Sequence, residues 1–237
     1  MDLQEPRAIL FDLDDTIIAH GTAGDKCWRE LCDRFAPLIG GIDAVRLMEA
    51  IDEARNWYWD DPERHRRERL NLVIARRELV TLAFSNLGID DTDIAFQLAD
   101  AYSTEREEGV TLFPGAIDTL KHFLNQGVKL ALVSNGSSEF QRKKIERFNL
   151  EPYFDCITIE GEFGAGKPDE RVLLHTIEKL GAVAGDAWMV GDILEWDVAG
   201  AQKVGIYGIW VDWKGEVLPE STAIRPDRIV NNISELI

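Results

Sequence analysis

Over much of its length the chain alternates between short continuous apolar runs and stretches with helical spacing. Apolar runs occupy residues 7–11, 128–133, 156–159, 187–190 and 206–211, and helical spacing occupies residues 137–148, 168–180 and 194–203. Short apolar runs are typical of strands buried on both faces, and their alternation with helices indicates parallel pairing. We therefore predict an α/β fold with a doubly wound, mostly parallel, Rossmann-like sheet.

Residues 22–106 have a different pattern, without a comparable apolar run. Pro62 follows an acidic residue that can cap a helix, and apolar residues then recur at three- or four-residue steps before Gly88: Leu70, Val73, Ile74, Val80, Phe84 and Leu87. This spacing predicts one long amphipathic helix that ends at Gly88. Weaker patterns near 24–36, 43–57 and 91–106 extend the prediction to a four-helix-bundle cap domain, residues 20–106, inserted into a core of residues 1–19 and 107–237.

Composition narrows the possible partners. The chain has 237 residues, 45% of them hydrophobic, and its 26 basic and 43 acidic residues give a formal net charge of −17. Such a charge repels nucleic acid and anionic membranes, so we expect neither as a partner. The three cysteines lack disulfide or metal-ligand spacing, and no segment approaches the ~20 apolar residues of a membrane span. We predict a cytoplasmic protein, either a monomer or a homodimer.

The polar residues of greatest interest follow the predicted strands. Asp12 and Asp14 follow the first run, Ser134-Asn135-Gly136 ends the second, and Asp192 follows the run at 187–190. Lys167 precedes Pro168, which predicts that a helix begins there and places a cation against the helix dipole. Because ligands of open α/β sheets bind beyond the carboxyl ends of the strands, we expect all of these residues in one cleft.

The chemistry of this set favours phosphoryl transfer. Carboxylates are the hard oxygen donors that magnesium prefers, which would let Asp12, Asp14 and Asp192 coexist. Small residues at a helix start can hold a phosphate, and Lys167 adds a positive charge. Each of these residues taken alone is also common in turns, helix caps or surfaces. Such structural roles do not explain why the whole set occurs in this order.

In their order along the chain, these residues resemble the four motifs of the haloacid dehalogenase (HAD) superfamily. The motifs are Asp12-Leu13-Asp14-Asp15-Thr16, Ser134, Lys167 in GAGKPDE, and GDILEWD, which runs from Gly191 to Asp197. The resemblance implies a phosphatase with Asp12 as nucleophile and Asp14 as general acid and base. It also implies Mg²⁺ bound by the carboxylates of Asp12 and Asp192 and by the backbone carbonyl of Asp14. Phosphate would be bound by Ser134, Asn135, Gly136 and Lys167, with a supporting role for Asp197.

Within that family the residues favour a magnesium-dependent phosphomonoesterase that acts through an aspartyl phosphate. An acid at Asp14 suits protonation of an alcohol leaving group, which a dehalogenase does not need. The expected substrate is a small phosphorylated metabolite of the sugar phosphate, sialic acid phosphate or nucleotide class. The alternatives are a phosphomutase, a haloacid dehalogenase or a non-catalytic binding module on the same fold.

Three features of the cap have two interpretations each. The basic cluster Arg64, His65, Arg66, Arg67 and Arg69 could clamp a second anionic group, but interleaved acids favour a solvated face. Trp57, Tyr58 and Trp59 could stack on a ligand, although core packing is the more common role. His20 follows the first motif and is a candidate for contact with substrate.

Overall fold

The computed structural model describes residues 5–218 and 220–237, which form two compact units. The core unit comprises the described residues up to Ala19 together with Leu112–Ile237, and the cap unit is His20–Thr111. The predicted second boundary at 106/107 lies inside a helix that continues to Gly109, so the chain leaves the cap a few residues later.

A six-stranded parallel sheet forms the centre of the core unit. Its strands are β1 (Ala8–Phe11), β4 (Lys129–Ser134), β5 (Cys156–Ile159), β6 (Ala187–Gly191), β7 (Tyr207–Val211) and β8 (Arg228–Val230). Their order is β5-β4-β1-β6-β7-β8, and Phe11 of β1 lies opposite Leu132 on one side and Val190 on the other. The predicted fold class is confirmed, and the order makes β1 central.

Burial explains why these segments are strands. All four residues of β1 are inaccessible to solvent, and the interior of β4 is buried as well. A strand that is buried on both faces does not alternate between apolar and polar residues. A continuous apolar run therefore predicts such a strand. The core helices are α6 (Ala116–Asn125), α7 (Ser138–Arg147), α8 (Glu160–Phe163), α9 (Glu170–Leu180) and α10 (Ala199–Lys203), with a π-helical segment at Leu194–Val198.

The cap unit is helical. Its helices are α1 (His20–Ile39), α2 (Ala44–Asp60), α3 (Pro62–Glu68), α4 (Leu72–Asn86) and α5 (Thr92–Gly109). Two further short strands, β2 (Ile18–Ala19) and β3 (Thr111–Leu112), form a separate two-stranded sheet. Trp28 of α1 stacks on Tyr102 of α5 with ring centroids 3.7 Å apart, inside a continuous apolar cluster.

The single long helix predicted from Pro62 to Gly88 is wrong, because α3 and α4 are separate helices. The break falls at Asn71, whose φ of −137° and ψ of 61° are not helical. The buried face of helix α4 is therefore set independently of α3. It includes Ala75, Leu79 and Ala83, whereas Ile74 is 48% exposed. The apolar pattern correctly includes Val80 and Phe84, which are buried, but it also includes the exposed Ile74 and omits the buried alanines.

A second correction concerns Lys167. Helix α9 begins at Glu170, with Asp169 as its N-cap accepting a hydrogen bond from the Arg171 amide. Lys167 therefore precedes the helix rather than lying in its first turn. The conflict with the helix dipole does not arise, and the charge of Lys167 is explained by its contacts instead.

The cysteines are free and serve packing. Burial raises the pKa of the Cys27 thiol to about 11 and that of Cys32 to about 12, so both remain protonated near neutral pH. Across the described part of the chain, none of the helices has the length and apolar character needed to cross a bilayer.

The cap core offers a direct stability test at Leu98, which is inaccessible to solvent in α5. We expect Leu98→Ala to lower the free energy of unfolding by about 2–5 kcal/mol, because a cavity replaces packed side-chain atoms. Urea denaturation measures this. Val45→Ala is the control, because Val45 is 69% exposed and its truncation should change stability by about 0.5 kcal/mol or less. Equal effects of the two substitutions would contradict the assigned cap core.

Candidate active site

The site residues of the core unit follow adjacent parallel strands. Asp12 directly follows β1, and its amide donates a hydrogen bond of 2.9 Å to the carbonyl of Val190 in β6. Asp192 directly follows β6. Because Phe11 and Val190 are paired in register, Asp12 and Asp192 both lie just beyond the same edge of the sheet, close enough for their charges to interact.

Lys167 connects two of the motifs through ion pairs. Its Nζ atom lies 2.5 Å from Oδ1 of Asp12 and 2.7 Å from Oδ1 of Asp197. Lys167 is 1% exposed and Asp197 is likewise 1% exposed, so both charges are removed from solvent. The ammonium group of Lys167 thus joins Asp12 and Asp197, which lie 155 and 30 positions away from it along the chain.

Asn135 holds the backbone of Lys167 in place. The Lys167 amide donates to Oδ1 of Asn135 at 2.7 Å, and Nδ2 of Asn135 donates to the Lys167 carbonyl at 2.8 Å. A Cβ atom at Gly166 would lie 2.6 Å from Oδ1 of Asn135, so glycine permits this close approach. Asn135 therefore orients the lysine, a role that is distinct from the predicted contact with phosphate.

Asp14 has two partners that the sequence did not single out. Nζ of Lys144 lies 2.8 Å from both carboxylate oxygens of Asp14, and Nε2 of Gln141 donates to its Oδ2 at 3.0 Å. Gln141 also contacts Oγ of Ser134 at 2.8 Å. Both partners project from α7, and their spacing of three residues places them on one helix face. That spacing does not by itself point to Asp14.

The backbone amide of Gly136 is already engaged in the structure. It donates a hydrogen bond of 2.8 Å to Oε2 of Glu160, a carboxylate that is 5% exposed. Binding of phosphate at this amide would require that bond to be exchanged. Ser134, at the end of β4 and 2% exposed, lies beside Gln141 and so joins the Asp14 cluster.

Gly191 is required by the close approach of Asp197. A Cβ atom at Gly191 would lie 2.3 Å from both Cγ and Oδ2 of Asp197, far inside van der Waals contact. Oδ2 of Asp197 also accepts a hydrogen bond from the Ile193 amide at 3.0 Å. The turn after β6 therefore folds tightly around one buried carboxylate, while Nε1 of Trp210 donates to the Asp192 carbonyl at 2.8 Å.

Asp15, the third acid of the first motif, has a structural setting. Its φ of 57° lies in the left-handed region that Asp tolerates better than most residues, and its amide donates to the carbonyl of Ile18 at 2.7 Å. This turn reverses the chain after β1. No catalytic role was predicted for Asp15.

Negative charge exceeds positive charge around Lys167. Burial raises the pKa of Asp12 to about 7, Lys167 opposes that rise, and the carboxylate of Asp197 adds to it. Burial likewise raises the pKa of Asp192 well above its usual range, with Asp12 and Asp197 contributing further. Burial alone would lower the pKa of Lys167, but its two carboxylate partners outweigh this and hold the lysine charged.

The donors predicted for magnesium fit that ion. No three His, Cys, Asp or Glu side chains within residues 5–218 and 220–237 converge as a ready metal centre. The predicted donors differ from such a centre, because they are two carboxylates, of Asp12 and Asp192, and the backbone carbonyl of Asp14. Magnesium is commonly held by one or two carboxylates, with other positions left to water and phosphate. The raised pKa values of Asp12 and Asp192 mark negative charge that a divalent cation would offset.

Comparison with known proteins identifies the family. The family model for haloacid dehalogenase-like hydrolases matches residues 6–205, so the chain belongs to that family. A phosphoserine phosphatase of Thermus thermophilus is 36% identical over 142 residues, which span 60% of this chain and 56% of that protein. An N-acylneuraminate-9-phosphatase of Rattus norvegicus is 26% identical over an alignment that covers 100% of this chain and 94% of that protein.

The fold has a close counterpart among solved structures. The HAD-hydrolase YfnB from Bacillus subtilis, bound to magnesium, aligns with a TM-score of 0.75 and 23% identity over 98% of this chain and 97% of that chain. At this identity the likeness concerns the fold. The family match and the relatives named as phosphatases confirm the predicted family and the enzyme class, a phosphatase-type hydrolase.

The carboxylate cluster generates a stability prediction. The pKa of Asp12 is about 7 in the folded protein against an ordinary value of 3.8, so the folded state binds more protons between these values. Stability of the metal-free protein should therefore fall as pH rises from about 4 to about 7. Asp192→Asn removes one repelling carboxylate and should raise the free energy of unfolding near neutral pH and flatten this slope. Urea denaturation with EDTA measures both effects.

Magnesium should stabilise the wild type and leave the stability of Asp192→Asn unchanged. At a concentration of 100 times its Kd, a ligand bound only to the folded state stabilises it by about 2.7 kcal/mol, so Mg²⁺ should raise the Tm of the wild type but not of Asp192→Asn. Glu178→Gln, which removes an exposed carboxylate of α9, is the control and should behave like the wild type. Equal stabilisation of Asp192→Asn by Mg²⁺ would refute the assigned donor.

Proposed function

We propose that this protein is a magnesium-dependent phosphomonoesterase that hydrolyses a small phosphorylated metabolite through an aspartyl phosphate. The observation that carries the proposal is the buried arrangement of Asp12, Lys167 and Asp197 beside Asp192. A nucleophilic carboxylate, a charged lysine and a cation site at the carboxyl ends of parallel strands supply the parts that phosphoryl transfer needs. The cytoplasmic location and the homodimer or monomer state stay predictions.

In the first step, a carboxylate oxygen of Asp12 attacks phosphorus, and the bond from phosphorus to the substrate's alcohol oxygen breaks. Asp14 in its protonated form donates a proton to that departing oxygen. Lys167 stabilises Asp12 as a carboxylate and offsets negative charge on the transferring group. When bound, magnesium would neutralise further charge on the phosphoryl oxygens and favour the ionised form of Asp12.

In the second step, Asp14, now a carboxylate, accepts a proton from a water molecule that attacks the phosphorus of the aspartyl phosphate. The acyl phosphate bond breaks, inorganic phosphate leaves and Asp12 is restored. Asp197 keeps Lys167 in place throughout, because it bonds the same ammonium group at 2.7 Å. Ser134 and Asn135 remain the predicted contacts of the phosphoryl group.

The names of the relatives support a small substrate. They include phosphatases named for phosphoserine, N-acylneuraminate 9-phosphate and ribulose 1,5-bisphosphate. We infer that the substrate here belongs to the same broad range of small phosphorylated acids and sugars. A phosphomutase is the second candidate, because it would share Asp12 and Asp14 but return the phosphoryl group to a second hydroxyl.

Phosphate release across a panel of sugar phosphates, nucleotides and short acid phosphates tests the proposal. We expect magnesium-dependent release by the wild type. Asp12→Asn should abolish release because the nucleophile is lost, and Asp14→Asn should slow alkyl esters more than aryl esters because phenolate leaves without full protonation. Isomerisation of a sugar phosphate without release of phosphate would favour the mutase. Full activity of Asp12→Asn would refute the covalent mechanism.

The ion pair of Asp14 generates a pH prediction. Nζ of Lys144 lies 2.8 Å from both carboxylate oxygens of Asp14 and favours its ionised form, so removal of Lys144 should favour the protonated form. The first step needs protonated Asp14, so activity falls where high pH ionises that carboxyl. Lys144→Met should therefore move the basic limb of the kcat profile for an alkyl phosphate to higher pH.

The control for this experiment is Lys143→Met on the same helix. Lys143 is largely exposed and pairs with Glu139 at 2.7 Å, away from Asp14, so its removal should leave the pH profile unchanged. An unmoved basic limb in Lys144→Met, with activity retained, would show that Lys144 does not tune Asp14.

A further inference from the structure

Glu160 is a buried acidic residue with no part in the proposed mechanism. It directly follows β5 and is 5% exposed. Ile159, the last residue of β5, lies opposite Ser134, the last residue of β4, in the parallel register. The chain therefore leaves both strands at the same level, and Glu160 contacts the segment of residues 134–136. A buried carboxylate costs free energy unless it is hydrogen-bonded, so its contacts indicate its role.

The turn after β5 binds both polar backbone atoms of Gly136. The Gly136 amide donates to Oε2 of Glu160 at 2.8 Å, and the Gly136 carbonyl accepts from the Gly161 amide at 3.0 Å. The φ of Gly136 is 111°, a positive value that glycine adopts without the strain other residues meet. Two hydrogen bonds from one turn thus fix a residue whose backbone has unusual conformational freedom.

The carboxyl group of Glu160 also lies against the segment that carries Lys167. A Cβ atom at Gly166 would lie 2.6 Å from Cδ of Glu160 and 2.8 Å from its Oε1, so only glycine leaves room for this contact. Gly166 directly precedes Lys167, whose backbone is bound on both polar atoms by Asn135. Glu160 and Asn135 therefore connect the 134–136 segment to the Lys167 segment at two neighbouring points.

Glu162, two residues further along α8, has different partners. Its carboxylate accepts from Oγ of Ser138 at 2.7 Å and forms two hydrogen bonds of 2.7 Å with Arg142. Both partners belong to α7, and the side chain of Glu162 is 34% exposed. Glu162 therefore holds α8 against α7. The two acids of one short helix form a matched pair, with one bound to the 134–136 segment and the other to the neighbouring helix.

The position of Gly136 matters because the predicted contacts of the phosphoryl group, Ser134 and Asn135, directly precede it. Phosphoryl transfer depends on groups that are already in place when charge develops, and a displacement of about 1 Å can lower the rate roughly a hundredfold. A residue that anchors Gly136 would therefore affect the reaction through Ser134 and Asn135.

We propose that Glu160 is a positioning residue of the 134–136 segment. By accepting the Gly136 amide and lying against Gly166, it keeps that segment in register with Lys167. It acts through the backbone rather than on the substrate. The effect on catalysis rests on the proposed function, whereas the anchoring of Gly136 can be measured without turnover.

Hydrogen exchange of the Gly136 amide tests the anchoring directly in the full chain. Asn135-Gly136 is the only Asn-Gly pair in the sequence, so isotopic labelling of asparagine carbonyl carbons and glycine amide nitrogens isolates this amide by NMR. We expect Glu160→Ala to accelerate its exchange about tenfold or more, because the acceptor of a charge-assisted hydrogen bond is lost. Glu160→Gln keeps an oxygen acceptor, so its exchange should be slower than that of Glu160→Ala.

The kcat for phenyl phosphate with magnesium tests the consequence for catalysis. Phenolate leaves without full protonation, so this ester reports on the phosphoryl contacts more than on Asp14. Glu160→Ala should lower kcat about tenfold to a hundredfold, and Glu160→Gln should restore most of the loss because it can still accept the Gly136 amide.

Glu162→Ala is the matched control for both measurements. It removes the contacts of α8 with Ser138 and Arg142 and retains the acceptor of the Gly136 amide, so exchange at Gly136 and kcat should stay close to the wild-type values. Urea denaturation verifies that each variant is folded before it is compared.

Two outcomes overturn the proposal: equal exchange of the Gly136 amide in the wild type and Glu160→Ala, or equal losses of kcat in Glu160→Ala and Glu162→Ala. If the wild type releases phosphate and Asp12→Asn does not, a fully active Glu160→Ala overturns this inference alone. If the wild type releases phosphate from none of the esters, the proposed function fails, and exchange at Gly136 still decides whether Glu160 anchors the segment.

Discussion

The core unit depends on one buried interaction, the binding of Lys167 between the carboxylates of Asp12 and Asp197. An ammonium group that is 1% exposed is stable as a charge only beside anions, and the three residues lie on segments far apart in the chain. Several local features follow from this constraint. Asn135 binds the backbone of Lys167 on both its polar atoms, Gly166 leaves room for that contact, and Gly191 leaves room for Asp197.

The positive charge of Lys167 does not balance the negative charge of the carboxylates around it. One lysine faces Asp12, Asp197 and the neighbouring Asp192, so burial and mutual repulsion raise the pKa of Asp12 and of Asp192. The proposed mechanism uses a divalent cation and an ionised nucleophile at this position. The electrostatic excess that destabilises the protein alone would favour binding of that cation. In the proposed mechanism, stability and function therefore depend on the same carboxylates.

The cap unit shows the reverse arrangement, because it brings positive charges together in an acidic protein. Arg76 and Arg106 share the ring of Tyr102. In both units, like charges lie close together: carboxylates around Lys167 in the core unit and guanidinium groups around Tyr102 in the cap unit.

The sequence by itself determined the parallel sheet, the presence of a helical insertion and the order of Asp12, Ser134, Lys167 and Asp192, because buried strands and strand-end motifs leave local patterns. It could not place the break at Asn71, since the apolar spacing continues through that residue. The buried face of α4 includes alanines, which the apolar spacing did not count. Nor could the sequence find Lys144 and Gln141 as partners of Asp14, which lie 130 and 127 residues away. Such pairings depend on which helix packs beside which strand end, and so only the tertiary structure decided them, along with the contact between Glu160 and Gly136.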